Sequence, residues 1–118
     1  MFKDNWTLIA AEKYAELEAS AKKAFDNRKK SGKIKSSRIE GLFKQVDKAI
    51  DLLLTNPRHL SLVTHKYHNL SHVDSKSGKE FEVFEAYAQN KTPGAYRIFW
   101  CYGPEKGEIT IVNITPHP

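Results

Sequence analysis

The sequence predicts an α+β fold, a helical hairpin at the N-terminal end packed on one face of an antiparallel β-sheet. Three observations predict it. Apolar residues recur at steps of three and four through the first half. The second half changes to short runs of branched and aromatic residues. Gly, Pro and Ser punctuate the chain wherever a run stops. The 118 residues suit a single domain spanning residues 1–118. Hydrophobic residues make up 40% and charged residues 28%, which supports one modest core and excludes a disordered chain.

Asn5 to Ala10 reads in two ways, as a short strand with Trp6 and Leu8 alternating or as the lead into a helix. Tyr14, Leu17, Ala21 and Ala24 or Phe25 then form one face of an amphipathic helix ending near Lys30, with Gly32 suited to stop it. Ser37 followed by Glu40 is a capping-box pattern and starts a second helix. Its apolar stripe is Ile39, Leu42, Phe43, Val46, Ile50 and Leu53, and Asn56-Pro57 ends it, because proline cannot continue a helix.

Four strands are expected after the hairpin. Leu62 to Tyr67 is the first, and Ser71 to Lys79 reads as a polar loop. Phe81 to Ala88 is the second, followed by a turn at Thr92-Pro93-Gly94. Ala95 to Tyr102 reads as a central strand. Gly103 to Gly107 turns the chain into a last strand, Glu108 to Ile114, with Ile109 and Ile111 on one face and Val112 and Ile114 on the other. Turn-linked neighbours of this kind pair antiparallel, and the helices would leave the second sheet face available.

Net charge is +5, which favours polyanionic partners. The charge concentrates between the helices, where Arg28, Lys29, Lys30, Lys33, Lys35 and Arg38 stand in one stretch without an acidic residue. Such a run is either a solvated loop or a phosphate-binding surface, here a candidate RNA contact. The single cysteine, Cys101, forms no internal disulfide. No apolar run resembles a signal peptide or approaches the roughly 20 residues of a membrane span. A cytoplasmic protein with no membrane partner is expected.

Arg97 stands in a strongly apolar strand, where an unpaired guanidinium is costly to bury. It is either paired with a carboxylate, for which Glu85 on the preceding strand is the candidate, or it faces a site and holds a phosphate. The five histidines, His59, His65, His68, His72 and His117, match no metal-ligand spacing, so no metal is expected. His117 stands between Pro116 and Pro118 just past the last strand, a stiff position from which an imidazole could reach a site. Lys66 with Tyr67 could meet a nucleic-acid backbone from the sheet, or Lys66 could be a strand lysine turned to water. Metal-free RNA cleavage needs a base for the 2′-hydroxyl, a cation for the phosphorane and an acid for the leaving oxygen. Glu85 or Lys66, Arg97 and His117 are the residue types that fit. No phosphate-binding glycine loop, nucleophile elbow or dinucleotide fingerprint is present, and no small-molecule cofactor is expected.

The segments Phe84-Glu85-Ala86-Tyr87, Thr92 to Trp100 and Ile109 to Ile114 with His117 resemble the RelE/ParE toxin superfamily of bacterial type II toxin–antitoxin pairs. Asn56-Pro57 followed by His65-Lys66-Tyr67 is similar to that family's helix end and lysine-bearing strand. The resemblance runs from Gly41 onward. It implies a helical hairpin on a twisted antiparallel sheet and a cognate antitoxin that wraps the domain. Its RelE-like branch implies metal-independent endoribonuclease action on mRNA at the ribosome. There Arg97 would bind the scissile phosphate, Lys66 would assist, His117 would act as acid or base, and Glu85 is a looser match to the carboxylate base. The long polar loop after Ser71 and the missing C-terminal tyrosine depart from the family pattern. The ParE-like branch implies a non-catalytic toxin that binds DNA gyrase. A solitary RNA- or protein-binding domain of the same fold is the third reading.

Overall fold

The capping box at Ser37 sets the hairpin. In the computed structural model, which describes residues 1–90 and 93–116, the Ser37 hydroxyl accepts from the Glu40 amide while the Glu40 carboxylate accepts from the Ser37 amide. Helix α2 (Arg38–Thr55) follows and ends at Asn56, whose extended backbone leads into Pro57. Helix α1 (Leu8–Lys30) ends in a Schellman motif. The Lys33 amide donates to the Arg28 carbonyl and the Gly32 amide to Lys29, with Gly32 at φ +70°. Tyr14 ties the helices together by donating to Asp47 at 2.8 Å. Phe25 lies outside this interface, exposed, with Arg28 and Lys29 over its ring.

Arg28 crosses the hairpin. Its Nε and Nη2 reach the buried Glu40 carboxylate at 3.0–3.2 Å, and its Nη1 donates to the Ile34 carbonyl. The Arg28 guanidinium first, and then the Ser37 amide, hold the Glu40 carboxyl down at about 2. A depressed carboxyl stabilises the fold fully above its ordinary value near 4.5, and that contribution fades as pH falls towards 2. Glu40→Gln should therefore flatten the fall in stability across this acid window, read by urea unfolding at about pH 6 and about pH 3.

Five strands form one sheet in the order β1-β5-β4-β3-β2, where β1 is Lys3–Trp6, β2 His65–Val73, β3 Glu80–Tyr87, β4 Tyr96–Tyr102 and β5 Glu108–Pro116. The last four pair antiparallel as expected, while β1 pairs parallel to β5. The ambiguous start is thus both things: a strand to Trp6, then a helix from Leu8 capped by Thr7. The first expected strand begins later, because Leu60–Leu62 forms a 3₁₀ turn, and it runs on to Val73, so the polar loop starts at Asp74. Lys66 pairs with Phe84 but Ser71 with Glu82, so residues 67–70 of β2 bulge out of register.

A second bulge corrects the reading of the last strand. Phe99 pairs with Asn113 and Trp100 with Ile111, which leaves Val112 as an extra residue and inverts the alternation beyond it. Ile109, Ile111 and Ile114 all enter the helix-side core with Leu17, Val46, Ile50, Leu53, Ile98 and Trp100. The face away from the helices is not bare. Val83, Phe99, Cys101 and Val112 form a smaller cluster there, with Tyr67 and Phe81 against it. Phe81 lies so close to Gly103 (φ +112°) that any Cβ at 103 would meet its ring at 2.7 Å. No described helix is long and apolar enough to cross a membrane.

Candidate functional site

Residues paired across antiparallel strands share a sheet face, so the register places the site. His65 pairs with Glu85, Glu85 with Phe99, and Phe99 with Asn113. The next row is Tyr87, Arg97 and Thr115. Phe99 belongs to the cluster away from the helices, so both rows lie on that face.

Arg97 is 8% exposed and its guanidinium stacks 3.7 Å above the Tyr87 ring. Nη1 donates to the carbonyls of Gln89 (2.9 Å) and Tyr96 (3.4 Å). Nε stands 4.0 Å from Glu85 Oε2 and has no hydrogen-bond partner among the described residues. The carboxylate pairing expected for Arg97 is met in part. It sits beside a carboxylate, yet its Nε stays unmatched among the described residues, and a donor buried without an acceptor costs about 1–3 kcal/mol.

Glu85 is 1% exposed and lies between His65 and Arg97. Its Oε1 is 2.8 Å from His65 Nε2, and its Oε2 faces Arg97. His65 Nδ1 is 2.9 Å from the Val63 carbonyl, and its ring is about half exposed and edges against Tyr87. Both ring nitrogens thus face acceptors, the buried Glu85 carboxylate at Nε2 and the Val63 carbonyl at Nδ1, and the carboxylate anchors the Nε2 side of the ring. Cys101 lies on the same face, but burial pushes its thiol up to about 11, which removes it as a nucleophile.

No protein-family model matches the chain, and no curated protein or solved structure matches it either.

Among the residues singled out from sequence, the structure brings Arg97 and Glu85 together and leaves Lys66 apart. Lys66 pairs with Phe84, which stacks on Trp100 of the helix-side core, so Lys66 is on the opposite face from Arg97. Its ammonium is 3.5 Å from Glu82, with both side chains exposed. Thr92 of the expected turn and His117 lie outside the described residues. Strand β5 ends at Pro116 opposite Tyr96, one position beyond the Thr115–Arg97 pair.

The basic stretch divides. Arg28 is committed to Glu40 and to loop carbonyls, so its charge is matched internally. Lys29, Lys30, Lys33, Lys35 and Arg38 are exposed. Arg38 lines a cleft of about 280 Å³ with Gln89, Gly94 and Tyr96. Gln89 also supplies the carbonyl that Arg97 holds, so this end of the basic stretch adjoins the Arg97 end of the sheet.

The sequence reading weighed His65 among the five histidines without placing it at the site, and it gave Tyr87 no role there. One signal was present: Tyr87 shares parity with Glu85 in a single strand, as Arg97 does with Phe99. What was missing was the register that sets Tyr87 opposite Arg97 and His65 opposite Glu85.

Proposed function

We propose that this chain is the toxin of a type II toxin–antitoxin pair and cleaves mRNA on the ribosome, in the manner of the RelE-like branch it resembles. The observation that carries this reading is Arg97: a nearly buried guanidinium, stacked on Tyr87 and beside Glu85, with its Nε left without a hydrogen-bond partner among the described residues. The helical hairpin on an antiparallel sheet is the architecture the resemblance implies, and it supports the reading.

The chemistry follows from the arrangement. Arg97 holds the scissile phosphate and stabilises the charge that grows on the phosphorane. Glu85 is too buried to meet a 2′-hydroxyl, so it serves as a positioning residue for Arg97 and His65. His65 acts as base only in its neutral form: with its one proton at Nε2 on Glu85, its bare Nδ1 gives up the Val63 carbonyl contact and takes the 2′-hydroxyl proton. The 2′-oxygen bonds to phosphorus, the bond to the 5′-oxygen breaks, and His117 supplies the proton to that leaving oxygen. The products are a 2′,3′-cyclic phosphate and a 5′-hydroxyl. The exposed lysines of the α1–α2 loop, with Arg38, hold RNA backbone beyond the site. A cognate antitoxin, disordered in part until it binds, keeps the protein silent.

Induction of the chain in a bacterium without an antitoxin tests this. Arrest of translation with messages cut in the reading frame is the expected result. Arrest with messages intact and DNA gyrase trapped would favour a ParE-like binding toxin. Normal growth at good soluble yield would leave a solitary binding domain. Within the nuclease reading, His65→Gln should lower the cleavage rate by about 100-fold without moving the thermal midpoint appreciably, because glutamine can still donate to Glu85 but cannot carry the proton. Single-turnover cleavage and a melting curve check the two halves.

A further inference from the structure

Three features converge at the β2 edge of the helix-side face. Leu60 in the 3₁₀ turn is 91% exposed. Val63, which ends that turn, is held at φ 48° and ψ 41°, a left-handed conformation that strains a β-branched residue. Both line an open groove of about 530 Å³, with Phe84, Trp100 and Tyr102 as its aromatic side. Trp100 is 0% exposed, and its Nε1 is a buried donor without a partner among the described residues. The chain's other indole shows the contrast, since Trp6 Nε1 donates to Asp4 at 2.7 Å.

The lining includes Arg58 and Lys66 and no Asp or Glu, although Lys66 also reaches Glu82 outside it. An occupant that matches this carries an apolar group to meet Leu60 and the aromatic side, and negative charge on its flanks. We infer that the groove docks an acidic segment of a partner protein through one bulky apolar side chain. A nucleic acid fits less well. Bases need free ring faces to stack on, whereas Phe84 and Trp100 stack on each other at 5.0 Å and Tyr102 meets both rings edge-on. The groove's lining also includes His65, so the groove adjoins the proposed nucleolytic site at that residue, and a peptide titration reads docking without relying on cleavage.

Synthetic peptides of about 12 residues, long enough to cross the groove, provide the probe. One set carries a central Leu or Trp flanked by Asp and Glu, a second has Lys and Arg flanks, and a third has acidic flanks around Gly. Titration into the full chain is followed on the two indole N–H resonances. The acidic set with an apolar centre should move the Trp100 signal, leave that of Trp6 in place, and bind more tightly than the other two. Leu60→Asp and Arg58→Glu, both at exposed positions, should each weaken that binding by about tenfold. Equal binding of basic and acidic flanks would overturn the inference. So would a Trp100 signal that no peptide moves, or one that a single-stranded RNA oligomer moves in preference.

Discussion

Replacing Arg97 by alanine should lower cleavage of ribosome-bound message by about 100- to 1000-fold, the range for losing one preorganised donor to a developing anion. The loss should appear in the rate of the bound complex more than in its affinity, because the exposed lysines of the α1–α2 loop carry much of the backbone attraction. Arg97→Lys sharpens the test. Lysine keeps the charge but lacks the planar fork that spans the Gln89 carbonyl and the ring of Tyr87. It should recover only a small part of the rate. Single-turnover kinetics at saturating ribosome complex, with a melting curve for each variant, separate lost chemistry from lost structure.

The second large effect concerns stability. Glu85→Ala should cost about 3–5 kcal/mol, because it strands a buried guanidinium with no carboxylate beside it. The same substitution in an Arg97→Met background should cost markedly less, and the difference is the coupling between the two residues. Urea unfolding of the four proteins in this cycle measures it. A full cost retained in the Arg97→Met background would mean that Glu85 stabilises the fold through His65 or the strand, and that it does not steady Arg97.

Local signals in the sequence carried most of the fold. The Ser37–Glu40 box, Gly32 and Asn56-Pro57 fixed the helix ends, because capping chemistry acts within a few residues. What escaped was the product of pairing between distant strands. The bulge at Val112 turns Ile114 into the helix-side core, and no spacing within β5 announces it. The bulge over residues 67–70 likewise hides the length of β2. The parallel pairing of Lys3–Trp6 with β5 joins opposite ends of the chain.

The site was legible by the same measure. Arg97 drew notice as an arginine in an apolar strand, and Glu85 as the nearest carboxylate, so that pair was readable from composition and order. His65 and Lys66 are neighbours that alternate to opposite faces, and only register against β3 decides which one meets Glu85. Arg28 looked like one more cation of a basic run, while its contact with Glu40 makes it the clamp of the hairpin.

The most direct test of the central claim uses purified protein, programmed ribosomes and two messages that differ at one atom. One message is all ribose; the other carries a single 2′-deoxynucleotide at the mapped cleavage position. The account predicts cutting of the first to a 2′,3′-cyclic phosphate and a 5′-hydroxyl, no cutting of the second at that position, and neither product with Arg97→Ala. Cleavage of the deoxy message at the same bond, or equal cleavage by Arg97→Ala, would contradict it.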